Sequence, residues 1–394
     1  MASYLLNGEK KNCSFCRACI SACPVSAISA EKDEDGFLFP VTDKDKCINC
    51  SKCFNVCPFS DGEKIPAQEQ EYYACKVKDD KTRFLSSSGG AFSEIAECFC
   101  NENYVLFGAV IDSDLKVRHA YTKNIKNLGD FRKSKYVQSD IGDSFIKAKQ
   151  FLESGKKVLF SGTPCQIAGF KNFLGKEYEN LLCIDIVCHG VPSQELFDKY
   201  ISELSDELSE KIVKFTFRNK DGFYGRKCNQ KTVLIETESG KKYTKQVLEC
   251  EYLAAFHEAM FYRESCAQCP FASSERVGDI TLGDFWGIED VDKDFDDGRG
   301  VSLLIFNTPA GKKLLPLLEE RTAMLKAEKE QAVKKNAQLR RPVKPHENRD
   351  KFFKLNREKS FCESVRGCMF IPSPFRLKLY NASQPVKKLL KKLK

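Results

Sequence analysis

Two blocks of cysteine constrain this chain more than any other feature. Cys13, Cys16, Cys19 and Cys23 are followed by Pro24, and Cys47, Cys50, Cys53 and Cys57 by Pro58. The pattern C-x2-C-x2-C-x3-C-P thus occurs twice at an offset of 34 residues. Three cysteines at this spacing wrap one face of a four-iron cluster, while the fourth reaches to the neighbouring cluster. The expected ligand sets are Cys13, Cys16, Cys19 and Cys57 for one [4Fe-4S] cluster, and Cys47, Cys50, Cys53 and Cys23 for the other. Thiolate quartets also bind zinc, but zinc sites normally use paired C-x2-C knuckles and not a triple run repeated with proline.

The chain has 20 cysteines in 394 residues. Its start lacks the apolar stretch of a secretory signal, so the thiols are expected to stay reduced in a cytoplasmic setting and to bind metal before they pair. No run approaches 18 apolar residues, which excludes a transmembrane segment. The net charge of +8 is concentrated at one end: residues 341–394 carry 15 Lys/Arg against 4 Asp/Glu. The preceding body is near neutral, which argues against nucleic acid as a partner.

Residues 1–62 form the expected two-cluster domain, and a polar stretch with Gly62 and Pro66 reads as a linker. From Tyr72 the pattern alternates between strands and helices. Tyr104–Ile111, Lys157–Ser161 and Leu181–Val187 read as buried strands, and 134–153 as a strand start running into a helix. Helices are expected over 91–100, up to Phe173, and from a cap at Ser193. Residues 212–218 and 232–236 alternate like antiparallel strands, and 301–306 with 309–319 read as a further strand and helix. The fold class is therefore α/β (α+β): a small two-cluster domain followed by a mixed-sheet domain. Beyond Arg341 the chain reads as a basic tail, 341–394, extended or loosely helical.

Twelve cysteines follow Cys57. Cys75, Cys98, Cys100, Cys183, Cys228 and Cys250 sit in apolar or mixed patterns and read as small core residues; Cys362 and Cys368 lie in the tail and read either way. Cys165 follows a strand end in a Gly-Thr-Pro turn, Cys188 ends the next strand in Cys-His-Gly, and Cys266 and Cys269 form a C-x2-C-P knuckle. Loops after the carboxyl ends of such strands usually carry the functional groups. Spacing alone leaves open whether these four thiols converge on one metal site or are merely scattered.

Residues 10–60 resemble the bacterial two-cluster ferredoxins. Downstream, the ordered motifs SSSGGAF (86–92), KSKYVQS (133–139), SGTPCQIAGF (161–170), DIVCHGVPS (185–193), FRNKDGFYG (217–225) and SCAQCPFASSERVGDITLGDFWG (265–287) resemble the coenzyme F420 hydrogenase/dehydrogenase beta-subunit family. The resemblance spans roughly residues 70–320, with 71–152 and 153–325 as its N- and C-terminal parts. It implies an oxidoreductase containing FAD, and a third [4Fe-4S] cluster held by Cys165, Cys188, Cys266 and Cys269. It also implies a redox partner protein (ferredoxin or a catalytic subunit) and a small-molecule hydride acceptor or donor such as coenzyme F420.

For the flavin, Ser87, Ser88, Gly89 and Gly90 precede a helix whose N-terminus suits a pyrophosphate, or they form a plain helix cap. Ser134, Lys135 and Tyr136 offer a charge and a ring for the cofactor, or a solvated lysine and a core tyrosine, and Gly162 and Thr163 complete the expected contacts. Phe285 and Trp286 read as core, His189 as a hydrogen-bonded structural histidine, and Asp279 and Asp284 as partners of Arg276 or Arg218. No catalytic acid or base is assigned. The lysine-rich end, 385–394, reads as a solvated terminus that offers at most peripheral contact with an anionic membrane surface. The competing reading of the whole chain is a non-catalytic electron-transfer adaptor that docks a separate catalytic partner.

Overall fold

A computed structural model describes residues 4–60, 69–220, 232–373 and 376. In the cysteine-rich segment a hairpin pairs β1 (Ile28–Lys32) antiparallel with β2 (Leu38–Thr42). The body is organised on an eight-stranded mixed sheet. Its centre is parallel: β4 (Tyr104–Ile111), β6 (Lys157–Gly162), β7 (Leu181–Ile186) and β11 (Ile280–Asp284) lie side by side. β5 (Val117–Thr122) adds antiparallel to the β4 edge, and β12 (Ser302–Phe306), β3 (Glu71–Val77) and β13 (Thr322–Ala327) extend the other side antiparallel. The parallel strands read as nearly continuous apolar runs because both faces are covered, as parallel sheets require. Residues 158–160 of β6 and 182–184 of β7 are all buried.

A second, three-stranded antiparallel sheet consists of β8 (Ile212–Asn219), β9 (Thr232–Thr237) and β10 (Lys242–Gln246). Helix Gln194–Leu208 leads into it, with Ser193 at its N-cap accepting from the Leu196 N–H. Together these elements enclose an aromatic core around Phe197, Tyr200, Phe217 and Tyr252. No helix among the described residues is long and apolar enough to cross a membrane.

Two segments depart from the sequence reading. Residues 134–143 form no strand; only an isolated bridge links Arg118 to Asp140, and the chain turns at Gly142 (φ 55°) before helix Ser144–Glu153. The region past Arg341 contains two packed helices, Arg349–Glu358 and Phe361–Cys368. Their charged faces set the composition, while Phe352, Phe353, Phe361 and Val365 are buried in the aromatic core, with Phe361 5.7 Å from Phe261. Ser360 and Glu363 close the second helix with a capping box. The linker residues 61–68, most of the FRNKDGFYG loop with Cys228, and the lysine-rich end lie outside the described residues.

Candidate iron–sulfur centres

The duplication visible in sequence is also a duplication of backbone. Phe15 and Arg17 take left-handed conformations (φ 51° and 64°), and Asn49 and Ser51 repeat them (φ 53° and 58°) at the same 34-residue offset. Each such non-glycine residue costs about 1–2 kcal/mol. Turns of this kind aim successive N–H groups inward, a concavity that suits anions and iron–sulfur sites. The Phe15 N–H already points at the Cys13 sulfur, 3.3 Å away.

Cys13, Cys16, Cys19 and Cys57 line one cavity together with Phe15 and Phe59. The fourth cysteine of the second block thus joins the first three of the first block. Burial, and to a lesser degree the neighbouring Cys47 and Cys50, pushes the Cys53 thiol up, while Cys50 is exposed and the intervening Ile48 60% exposed. Cys23 accepts from the Ala27 N–H at 3.2 Å. One set faces the body of the protein and the other faces solvent.

A second thiol cavity lies at the carboxyl ends of the parallel strands. Cys165 enters it from the first turn of helix Pro164–Leu174, where the N-cap Thr163 hydroxyl lies 3.2 Å from its sulfur. Cys188 follows β7. Gly190 (φ 134°) lets that loop pass over Tyr262, whose ring a Cβ would strike. Cys266 sits in the 3-10 turn Glu264–Gln268, with Cys269 just after it. The four thiols line the same space, with Ser14, Phe59, Thr163 and His189 in its wall.

A buried ion pair fixes these loops relative to one another. Arg276 donates to Asp185 (2.9 Å), to the Ile186 carbonyl (2.9 Å) and to the Phe271 carbonyl (2.9 Å). Asp185 also accepts from the Gly278 N–H at 2.9 Å. Arg276 therefore pairs with Asp185 and not with Asp279, which instead accepts from the Cys183 N–H (2.7 Å) and the Thr308 hydroxyl (2.8 Å). Arg218 does pair with Asp284, at 2.8 Å.

Among the described residues no three His, Cys, Asp or Glu side chains close tightly enough to hold a single ion. In both cavities the thiols line a common space. The Ser14 hydroxyl, buried and without a hydrogen-bond partner, lies in the wall of both cavities. A sulfide acceptor would satisfy it. Burial pushes the thiols up, Cys13 and Cys266 to about 11 and Cys269 to about 12. A bound cationic core reverses that shift, since ligation requires thiolates and releases protons.

The residues expected at a flavin are brought together only in part. Ser87 accepts from the Ser134 N–H at 2.8 Å, which joins the two serine-containing loops. Lys220 donates to the Ser88 carbonyl at 2.7 Å. Gly89 and Gly90 answer to packing: a Cβ on Gly89 would collide with the Cys75 carbonyl, and one on Gly90 with Val77. Lys135 turns its ammonium onto the Asp130 and Arg132 carbonyls (2.9 and 2.7 Å), and burial draws it down to about 7. Tyr136 packs among Phe217 and Phe256. Gly162 and Thr163 belong to the thiol cavity side, Gly162 beneath His119. Trp286 is 40% exposed while Phe285 is buried, so that aromatic pair is split.

Two stretches of the chain match known families. Residues 155–332 match the family described as the C terminus of the coenzyme F420 hydrogenase/dehydrogenase beta subunit, and residues 12–60 match the 4Fe-4S dicluster domain. The chain therefore carries the C-terminal domain of that beta-subunit family behind an N-terminal 4Fe-4S dicluster domain. All four cysteines of the second cavity fall inside the matched beta-subunit span; the loops of Ser87 and Ser134 precede it. The chain is 30% identical to the B subunit of sulfite dehydrogenase from Allochromatium vinosum over 109 residues, 27% of this chain and 44% of that relative. It thus spans less than half the length of that relative. A chain of the F420-reducing [NiFe] hydrogenase complex from Methanosarcina barkeri superposes with a TM-score of 0.44 at 15% identity, covering 77% of this chain and 92% of that one.

Two residues at this site escaped sequence reasoning. Arg263 lies just outside the motif at 265–287, and Ser14 is one of the variable positions within the first cysteine block. Their only sequence signal is proximity to cysteine.

Proposed function

We propose that this chain is an iron–sulfur flavoprotein oxidoreductase that relays electrons between a redox partner protein and a small hydride acceptor or donor, such as coenzyme F420. One observation carries the reading: the cavity of Cys165, Cys188, Cys266 and Cys269 shares the wall residues Ser14 and Phe59 with the cavity of Cys13, Cys16, Cys19 and Cys57. Three [4Fe-4S] clusters would be held by these two sets and by Cys47, Cys50, Cys53 and Cys23. FAD would be held near Ser87, Ser134 and Lys220. When bound, such clusters store single electrons and a flavin converts between one- and two-electron steps. The protein's own part is to keep the inner thiol sets dry, adjacent and rigidly oriented, and to leave the outer set open to a partner around Ile48.

A second reading is a chain that serves a separate catalytic subunit, favoured by the outward-facing Cys50 loop and by a relative that is itself named as one subunit of an enzyme. Anaerobic purification with cofactor extraction, followed by reduction with dithionite and a screen of hydride acceptors, tests both. Extracted FAD that turns over with a small acceptor is the expected result. Flavin that is reduced but reacts only with a protein partner selects the second reading, and absence of flavin contradicts the first.

A further inference from the structure

The partition between the two inner cavities contains a buried charge that the protein does not neutralise. Arg263 is 1% exposed, the largest of the fully buried side chains. Its guanidinium donates to three neutral acceptors: Gln138 Oε1 (3.0 Å) and the carbonyls of Cys13 (3.2 Å) and Leu38 (2.7 Å). It also lies over the rings of Phe37 and Phe39, 5.1 and 4.6 Å from their centroids. The other buried arginines have carboxylates, Arg276 with Asp185 and Arg83 with Asp297. Among the described residues no carboxylate lies within ion-pair distance of Arg263. Asp33 acts on it only through space and is itself paired with Lys10 at 2.8 Å. The thiols Cys13, Cys165 and Cys266, drawn from both cavities, are near enough to favour its charge. A buried cation without a counter-charge is strongly disfavoured. Ser14 poses the same question for a hydroxyl, because its oxygen is buried in the shared wall without a partner.

We infer that Arg263 and Ser14 form a polar partition whose missing counter-charge and acceptor are the clusters on either side. Arg263 neutralises the anionic, thiolate-bound clusters of Cys13/Cys16/Cys19/Cys57 and of Cys165/Cys188/Cys266/Cys269, and Ser14 donates to a cluster sulfur. The inference rests on the three-cluster reading above. Positive charge and hydrogen bonds to sulfur raise a cluster's reduction potential. A charge in a low-dielectric wall acts on both of its sides. Arg263 is thus a positioning and tuning residue that makes both inner clusters more reducible than they would be without it. The Cys47/Cys50/Cys53/Cys23 set lies away from this wall and serves as an internal reference.

The test is an EPR-monitored redox titration of the full-length protein, reconstituted anaerobically, with iron counted on the same samples. Arg263→Gln should keep its iron and move two midpoints downward, each by roughly a tenfold change in the reduction equilibrium, about 59 mV for a one-electron couple. Arg263→Lys should restore most of the shift, and Ser14→Ala should give a smaller downward shift; the third midpoint should not move. Full iron with unchanged midpoints in Arg263→Gln would overturn the inference and leave Arg263 as a structural bolt. If Arg263→Gln loses its iron, Ser14→Ala decides by the same criterion. A wild-type content of about 8 irons would instead overturn the three-cluster reading and the partition with it.

Discussion

Gly169 lies against Cys16 so closely that a Cβ on the glycine would sit 2.7 Å from the cysteine sulfur. Gly169 stands four residues after Cys165 in helix Pro164–Leu174. One short helix therefore presents a thiol to one inner cavity at its start and abuts a thiol of the other one turn later. The same contact docks the ferredoxin-like segment on the body, supported by Arg17 with Asp140 (2.7 Å) and by Gln138 on the Ser14 carbonyl (2.7 Å).

Gly169→Ala should separate docking from helix propensity. Alanine in place of a helical glycine favours the isolated helix by about 1 kcal/mol. Here the methyl group meets Cys16 Sγ and the Ala18 Cβ. The expected result is a lower melting temperature and loss of iron from the Cys13/Cys16/Cys19/Cys57 set, with the outer set retained. A more stable variant with full iron content contradicts the contact.

Asp185→Ala leaves Arg276 buried without its carboxylate and frees the Gly278 and Val277 amides. Removing one partner of such a pair costs about 3–5 kcal/mol. Denaturant unfolding should show that loss, and the iron assigned to Cys165, Cys188, Cys266 and Cys269 should fall with it. Wild-type stability would show that the pair does not fix these loops.

His119 sets a pH dependence. Its Nε2–H donates to the Ser161 carbonyl at 3.0 Å, and Nδ1 lies 2.7 Å from the Ser139 hydroxyl. Burial lowers its pKa from 6.5 to about 4. Between those values the unfolded chain binds a proton that the folded chain does not, so stability falls as pH drops through this window. The total is about 3 kcal/mol. Urea midpoints measured between pH 7 and pH 4.5 should show this slope in wild type and a shallower one in His119→Gln. Equal slopes in the two proteins contradict the assignment.

The parts that sequence made legible are those in which local pattern and tertiary role coincide. β4 and β6 appear as apolar runs because both faces of the parallel centre are covered. The helix behind Ser193 appears through its cap. β13 did not, because it lies on the sheet edge and its Thr322–Ala327 stretch has three consecutive half-buried positions, 323–325. The two late helices were obscured because their lysines and arginines dominate the composition while a few aromatics do the packing. Cys188 and Cys266 are 78 residues apart, and only the sheet brings their loops together. The spacing of Cys13 to Cys57, by contrast, encodes its own geometry, down to the left-handed pair at residues 15 and 17 repeated at 49 and 51. The glycine pair at 89–90 shows the opposite: its sequence suits phosphate, while its environment shows backbone packing.

Iron per chain in anaerobically prepared wild type, Cys188→Ala and Cys183→Ala tests the central claim most directly. Cys188 lines the second cavity, while Cys183, five residues earlier in β7, is buried in the core. Three clusters predict about 12 irons in wild type and in Cys183→Ala, falling to about 8 in Cys188→Ala with both ferredoxin-type signals intact. About 8 irons in all three proteins would contradict the account, because the four converging thiols would then hold no cluster.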